Sequence, residues 1–137
     1  MKTKLFIVML LIPLMFGCSK ESQMQKQFIG KWYQSMHGYW TVFYGNPKWE
    51  EANYDKTTTP QLLTFKKNGT YEHISRSSGE PENGEWSLSN DCSEITFIEK
   101  DKNGFIESQT TATVEFYQGV MIFVKDGGNI VTKYQKY

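Results

Sequence analysis

Arginine and cysteine are both scarce in this chain, and each scarcity excludes a class of protein. Arg76 is the single arginine among 137 residues, and the charged residues balance to a formal net charge of zero. Nucleic-acid binders track phosphates with a basic stripe, so the composition excludes that class of partner. With two cysteines, Cys18 and Cys92, a disulfide-dense scaffold is excluded as well, and core burial must supply the stability.

Long hydrophobic runs are also rare, because Leu5 to Phe16 is the one extended apolar stretch. A spanning helix needs about 20 apolar residues, so this run is too short to cross a bilayer. Lys2 and Lys4 precede it and Gly17-Cys18 follows it, which is the layout of a secretory signal. The segment resembles the lipobox signals of bacterial lipoproteins, in which a small residue precedes a cysteine that is acylated and becomes the mature N-terminus.

This resemblance implies an order for the N-terminal part of the chain. Residues 1–17 would be a signal peptide, and Cys18 would carry acyl chains such as palmitate. Residues 18–27 are polar and would form a lipidated tether. The protein would then be lipid-anchored in the cell envelope, with the outer membrane favoured and either its periplasmic face or the cell surface possible. Cys92 would be left without a disulfide partner and is predicted to be a small side chain at a turn.

Residues 28–137 show short β-type runs between glycine-containing turn signals and no sustained helical period. The predicted strands are Phe28 to Gln34, Gln61 to Lys67, Thr70 to Arg76, Gly84 to Ser89, Glu94 to Lys100, Phe105 to Gln118, Gly119 to Lys125 and Asn129 to Lys136. Asn68-Gly69 predicts a type I′ hairpin turn, and the signals at 82–84, 102–104 and 126–129 predict further turns. Tight turns make neighbouring strands antiparallel. We therefore expect an all-β fold, a small up-and-down barrel of about eight strands, since closure removes both exposed edges.

Period-two alternation predicts which side chains face the core. The expected core residues are Leu63, Phe65, Trp86, Leu88, Ile95, Phe97, Val114 and Phe116. Val120 to Val124 is apolar at every position, which indicates a strand covered on both faces. We expect Met121 and Phe123 to contact something other than the barrel interior.

The first predicted strand contains Phe28-Ile29-Gly30-Lys31-Trp32-Tyr33. Here the chain resembles the lipocalin-like domains of small bacterial lipoproteins, in which a Gly-x-Trp opens the first strand and the Trp closes one end of the barrel. The matching residues are Gly30 and Trp32. Lipocalins usually place a late arginine over this Trp, and no arginine follows Arg76. Lys125 or Lys133 is expected to cap the ring instead through a cation–π contact.

One segment between the first two predicted strands is dense in large rings. Its members are Tyr39, Trp40, Phe43, Tyr44 and Trp49, with Tyr54 just beyond. In a lipocalin-like layout this connection would cross the open mouth of the barrel and form a ligand or partner surface. The alternative is that residues 39–44 are another strand and Trp49 completes the core.

The residue types for catalysis and metal binding do not occur in known arrangements. There is no nucleophile elbow, phosphate loop or His-Glu-x-x-His, and His37, His73 and Cys92 lack zinc-site spacing. We therefore expect no enzyme, no metal site and no cofactor. The expected function is binding of a small apolar or amphipathic ligand by a membrane-anchored barrel. The alternative is an envelope protein-interaction module with a filled core and no ligand.

The signal assignment predicts the covalent state of the mature protein. Intact mass spectrometry of protein extracted from membranes should show that residues 1–17 are missing and that the first remaining residue carries acyl mass. A mass that still includes Met1 would contradict the assignment.

Overall fold

The computed structural model describes residues 23–58 and 60–137. The predicted signal peptide and Cys18 lie outside the described residues. Within them the chain forms nine strands, and no helix has the length and apolarity needed to cross a bilayer. The strands are β1 (Gly30–Phe43), β2 (Asn46–Asn53), β3 (Leu62–Phe65), β4 (Thr70–Ile74), β5 (Pro81–Leu88), β6 (Glu94–Lys100), β7 (Ile106–Tyr117), β8 (Val120–Lys125) and β9 (Ile130–Lys136).

Eight of these nine described strands close into an antiparallel barrel. The order is β1, then β3 to β9 in sequence, and β9 pairs back onto β1 from Trp32↔Lys136 to Tyr39↔Ile130. A bulge between Gln34 and Met36 shifts the register within this pairing. The predicted all-β fold with a closed up-and-down barrel is confirmed, and it is consistent with a lipocalin-like fold.

Strand β1 is longer than predicted, and its second half extends the sheet beyond the barrel. Residues 30–33 pair with β3, whereas Met36 to Phe43 pair with β2. The change of partner occurs where the Gln34 amide donates to the Gln61 carbonyl and the Tyr54 amide donates to the Ser35 carbonyl. The β1–β2 hairpin therefore stands at one end of the barrel, which we call the open end.

The turn chemistry differs from the prediction at Asn68-Gly69. Only Gly69 has a positive φ there, and the Gly69 amide donates to the Lys66 carbonyl, as in a type I turn followed by a bulged glycine. Positive φ at both central residues, the property of type I′ turns, occurs instead at Tyr44-Gly45 and Gln118-Gly119. Gly69 therefore indicates that a turn is present, but the type of turn also depends on the register of the flanking strands.

Two further expectations about local structure are wrong. Residues 82–84 do not form a turn but lie within β5, and Gly84 faces the interior because a Cβ there would approach the Tyr71 ring to 2.7 Å. Met121 and Phe123 do not point outward but are buried in the core. The strand is apolar on both faces, so alternation alone could not tell which face is inside.

The end opposite the hairpin is closed by a short helix and by Trp32. Residues 23–28 are helical, so the predicted tether boundary lies inside this helix, and Phe28 is fully buried. The Trp32 indole nitrogen donates to the Phe28 carbonyl at 2.7 Å. Gly30 follows with φ of 126°, a conformation that favours glycine.

The cation that caps Trp32 is Lys136, not Lys125 or Lys133. Its ammonium lies 4.3 Å from the ring centroid and donates to the Ile29 carbonyl at 2.6 Å. Register explains the choice, because Lys136 is paired directly with Trp32 across the β1–β9 closure. Partial burial lowers the pKa of Lys136, so these contacts offset part of a desolvation cost.

Aromatic rings fill the half of the barrel interior next to this cap, which we call the closed half. Phe28 contacts Phe65, Trp86 and Phe116 with ring centroids 4.9–5.5 Å apart. The chain of ring contacts continues through Phe97 and Phe123 to Tyr134. The predicted core residues all belong to this cluster or pack against it. These edge-to-face and tilted ring contacts fill the closed half of the interior.

We predict that Lys136→Ala lowers the free energy of unfolding by about 1 kcal/mol, since it removes a charged hydrogen bond and a cation–π contact at a partly exposed site. The melting temperature should fall by roughly 3–6 °C. Lys67→Ala, in the exposed β3–β4 turn, is the matched control and should change it little. Equal effects in the two variants would show that Lys136 does not hold the closed end together.

Candidate functional site

The barrel interior changes in character from the closed end to the open end. Rings occupy the closed half, whereas polar side chains project from the strand ends near the hairpin. The interior polar residues at the open end are Gln34, His37, Gln61, His73, Arg76, Glu99, Thr110, Lys125, Thr132 and Tyr134. This polar part of the interior, at the open end, is the candidate functional site.

A polar cavity of about 310 Å³ opens between β1, β9 and the segments that precede β3 and follow β4. Its lining residues are Gln34, His37, Tyr54, Gln61, Arg76, Lys125, Thr132 and Tyr134. None of the described residues on this wall is a carboxylate. The volume is at the lower limit of small-molecule pockets, which typically measure 300–1,000 Å³.

Several contacts hold the polar wall in place. The Arg76 guanidinium carbon lies 3.4 Å from the centroid of the Tyr54 ring, so the arginine is stacked at the rim. The His37 Nδ1 lies 3.1 Å from the Thr132 hydroxyl across the β1–β9 pairing. Burial raises the pKa of Tyr134 to about 12. Contacts within the protein therefore set the positions of Arg76 and His37 on the cavity wall.

A second cavity of about 200 Å³ adjoins the first and shares Gln61, Lys125 and Tyr134 with it. Its other lining residues are Leu63, Tyr71, His73, Phe97, Glu99, Thr110 and Phe123. The Glu99 carboxylate accepts long hydrogen bonds from the Tyr71 and Ser108 hydroxyls, at 3.5 and 3.3 Å. We call this space the ring-floored cavity, because the core rings form its base.

The aromatic segment singled out in the sequence forms the hairpin rather than a cover over the cavities. Trp40 is 53% exposed, Phe43 66% and Tyr44 88%, so these three rings are mainly in solvent. Trp40 packs edge-on against Trp49, with centroids 5.7 Å apart, and the Trp49 ring lies over the backbone of Gly38. Residues 39–43 are thus strand, as one alternative predicted, but Trp49 packs on the hairpin and does not complete the core. Neither tryptophan lines the two cavities.

Tyr39 is on the opposite face of the hairpin from the two tryptophans. Its ring lies 5.9 Å from that of His37, which lines the polar cavity. The Trp40 amide donates to the Asn129 carbonyl at 2.9 Å, which ties the hairpin to the β8–β9 turn. Tyr39 therefore contacts a residue of the polar cavity wall, although it does not line the cavity itself.

An open groove of about 440 Å³ lies on the outer wall, where β2 diverges from β9. Met36, Val120 and Ile122 supply its apolar surface, and Glu51 and Lys133 lie at its rim. The Trp49 indole donates to Glu51, and this hydrogen bond lowers the pKa of the carboxyl. Val120 and Ile122, on the outward face of β8, are half-buried in this groove.

Sequence reasoning missed most of the residues of the two cavities. Gln61, Arg76, Lys125 and Thr132 come from four separate segments, and only barrel closure brings them together. The usable signal was the polarity of inward positions near the strand ends, namely Gln34, His37, His73 and Thr132. Within residues 23–58 and 60–137, no three His, Cys, Asp or Glu side chains are grouped closely enough to hold a metal ion. Comparison of the whole chain with protein-family models and with curated proteins finds no match.

The buried tyrosines predict alkaline destabilisation. The folded state keeps Tyr134 neutral to about pH 12, whereas the unfolded chain ionises it near pH 10. The stability linked to this group is complete below about pH 10 and is lost as the pH rises toward 12, by up to roughly 2–3 kcal/mol. Burial raises the pKa of Tyr71 in the same direction.

Denaturant titrations across this range should therefore show a shallower loss of stability for Tyr134→Phe than for the unmodified protein. Tyr44→Phe, at the exposed hairpin tip, serves as the control and should keep the original slope. An unchanged slope in Tyr134→Phe would contradict the assigned burial.

Proposed function

We propose that this protein is a lipocalin-like, membrane-anchored lipoprotein that binds a small amphipathic molecule at the open end of its barrel. The anchor is the acylated Cys18 implied by the sequence, which places the barrel in the cell envelope, and the role is binding rather than catalysis. The observation that carries the proposal is the division of the interior. The closed half is packed with rings, whereas the open half keeps two adjoining cavities with polar walls and an apolar base.

The size of the cavities favours a small ligand over a long acyl chain. At about 200 and 310 Å³, they are at or below the usual range for drug-sized pockets. Below them the core rings occupy the barrel interior. A molecule of this size could place its apolar part on Phe97 and Phe123 and its polar part beside Gln61 and Thr132.

The second candidate, a protein-interaction module, is favoured by one specific observation. The hairpin tip exposes Trp40, Val42, Phe43 and Tyr44, and apolar residues in a contiguous exposed patch commonly mark protein contacts. Such a module would not require the cavities at the open end.

Filling the ring-floored cavity separates the two candidates. Thr110 lines the cavity, whereas its neighbour Thr111 faces outward and is exposed, so Thr110→Trp and Thr111→Trp form a matched pair. The full-length protein in nanodiscs of zwitterionic lipid would be tested by saturation-transfer NMR with six-carbon probes, namely hexanol, hexanoate and hexylamine. We expect at least one probe to bind the unmodified protein and Thr111→Trp, and binding to Thr110→Trp to fall at least tenfold.

Loss of probe binding only in Thr110→Trp would support ligand binding inside the barrel. If no probe binds, or if the two variants behave alike, the proposed ligand site is wrong and the interaction module is favoured.

A further inference from the structure

Alternate turns of the antiparallel barrel lie at the closed end, together with the start of β1 and the end of β9. The turns at this end are residues 66–69, 89–93 and 118–119. The helical segment 23–28 lies against the same end, because Phe28 is fully buried there and its carbonyl accepts the hydrogen bond from the Trp32 indole. The chain therefore enters the barrel at the closed end, opposite the hairpin and the two cavities.

The residue that the proposed function acylates is close to this end in sequence. Cys18 is five positions before Gln23, the first described residue. A peptide spans at most about 3.6 Å per residue, so Cys18 is within roughly 18 Å of Gln23 in any conformation of the chain between them. The 14 residues of β1 separate the closed end from the hairpin tip by roughly 35 Å, at about 3.3 Å per residue and a tilt of about 40°. A tether this short keeps the closed end, not the hairpin tip, near the bilayer.

Exposed lysines lie at the closed end. Lys66 and Lys67 occupy the turn after β3, and Lys26 lies in the helical segment. No carboxylate among the described residues lies within ion-pair distance of these three ammonium groups. Within the described part of the chain, their charges are therefore not neutralised by an acidic partner.

Two further lysines at this end contact rings rather than acids. The Lys31 ammonium lies 4.2 Å from the centroid of the Tyr137 ring, and Lys136 caps Trp32. Cation–π contacts hold an ammonium group in place without removing its charge. Because Lys31 and Lys136 lie on the paired strands β1 and β9, next to the turn that follows β3, they extend the same basic surface.

The carboxylates near the closed end lie on the other side of the barrel. Asp91 is in the β5–β6 turn, Glu94 begins β6, and Glu115 is on β7. Asp91 accepts hydrogen bonds from the hydroxyls of Ser89 and Ser93 in its own turn. Strands β3 and β4 stand between this turn and β1. The closed end therefore has a basic side, on β9, β1 and β3, and an acidic side.

Electrostatics and the tether select the same end of the molecule for the bilayer. Anionic headgroups attract lysines held close to a membrane, and a basic patch is a common second signal beside an acyl chain. At the opposite end, the exposed rings of the hairpin are accompanied by Glu50 and Glu51, which an anionic surface repels.

We infer that the basic side of the closed end docks on the anionic phospholipid headgroups of the bilayer that holds Cys18. The docking residues are Lys26, Lys31, Lys66, Lys67 and Lys136. The inference rests on the proposed function, because it requires the acylated anchor. It also directs the open end and its two cavities away from the bilayer, so that a ligand enters them from water.

The test measures which end of the barrel approaches the lipid. Acylated protein would be reconstituted in nanodiscs that carry traces of a gadolinium-chelating lipid, in phosphatidylcholine alone and with phosphatidylglycerol added. Relaxation of amide protons by gadolinium falls steeply with distance, so Gly30 reports on the closed end and Gly45 and Gly104 on the open end. With phosphatidylglycerol, we expect the enhancement at Gly30 to exceed that at Gly45 and Gly104 at least tenfold. It should also exceed its own value in phosphatidylcholine at least threefold.

The matched variants are the doubles Lys66→Gln/Lys67→Gln and Lys56→Gln/Lys102→Gln. Each removes two exposed lysines from loops, the first at the closed end and the second at the other end of the barrel. The first should reduce the enhancement at Gly30 at least threefold in discs with phosphatidylglycerol and leave it unchanged in phosphatidylcholine. The second should change neither value. Unchanged amide signals from the core strands would show that both variants are folded.

The outcomes distinguish this inference from the proposed function. Protein that does not stay with the discs overturns the anchor and the docking together. If the protein stays with the discs but the two ends show equal enhancement, or phosphatidylglycerol has no effect, the docking is overturned and the anchor stands. A larger enhancement at Gly45 than at Gly30 would assign the contact to the hairpin rings and also overturn the docking. Ligand binding is tested separately by Thr110→Trp.

Discussion

The pairing of β9 with β1 is the constraint on which the rest of the structure depends. It converts a meander with two open edges into a barrel without unpaired edges among its eight strands. The same register places Lys136 opposite Trp32 at the closed end and Thr132 opposite His37 at the open end. One set of backbone hydrogen bonds therefore positions both the cap of the core and a wall of the candidate site.

Closure also divides the interior into two chemical environments. A barrel of eight strands is just wide enough either to be filled by side chains or to hold one small ligand. In this chain, rings from Phe28 to Phe123 fill the closed half, and cavities of about 200 and 310 Å³ remain at the open end. The cost of burying polar groups is limited at the open end, where water and hydrogen-bond partners remain accessible.

The strands could be predicted from the sequence because their alternation is local. Strand β6 was predicted with its observed bounds, and the inward positions of Leu63, Phe65 and Trp86 followed from the same period. Features that depend on pairing between distant strands could not be predicted. Lys136 was missed as the cap because only the β1–β9 register brings it to Trp32, and Arg76 was treated as a strand residue although it lies beyond β4, at the rim.

The most direct test of this account is the proximity of Trp32 and Lys136 in solution. Trp32 and Lys136 form a non-hydrogen-bonded pair, since the neighbouring Tyr137 amide donates to the Lys31 carbonyl. The Cα protons of such antiparallel pairs are close enough for a strong nuclear Overhauser effect. The account predicts a strong cross-peak between the Cα protons of these two residues in the folded protein. Absence of the cross-peak, together with rapid amide exchange along β9, would show an open sheet and contradict the closure from which the candidate site is built.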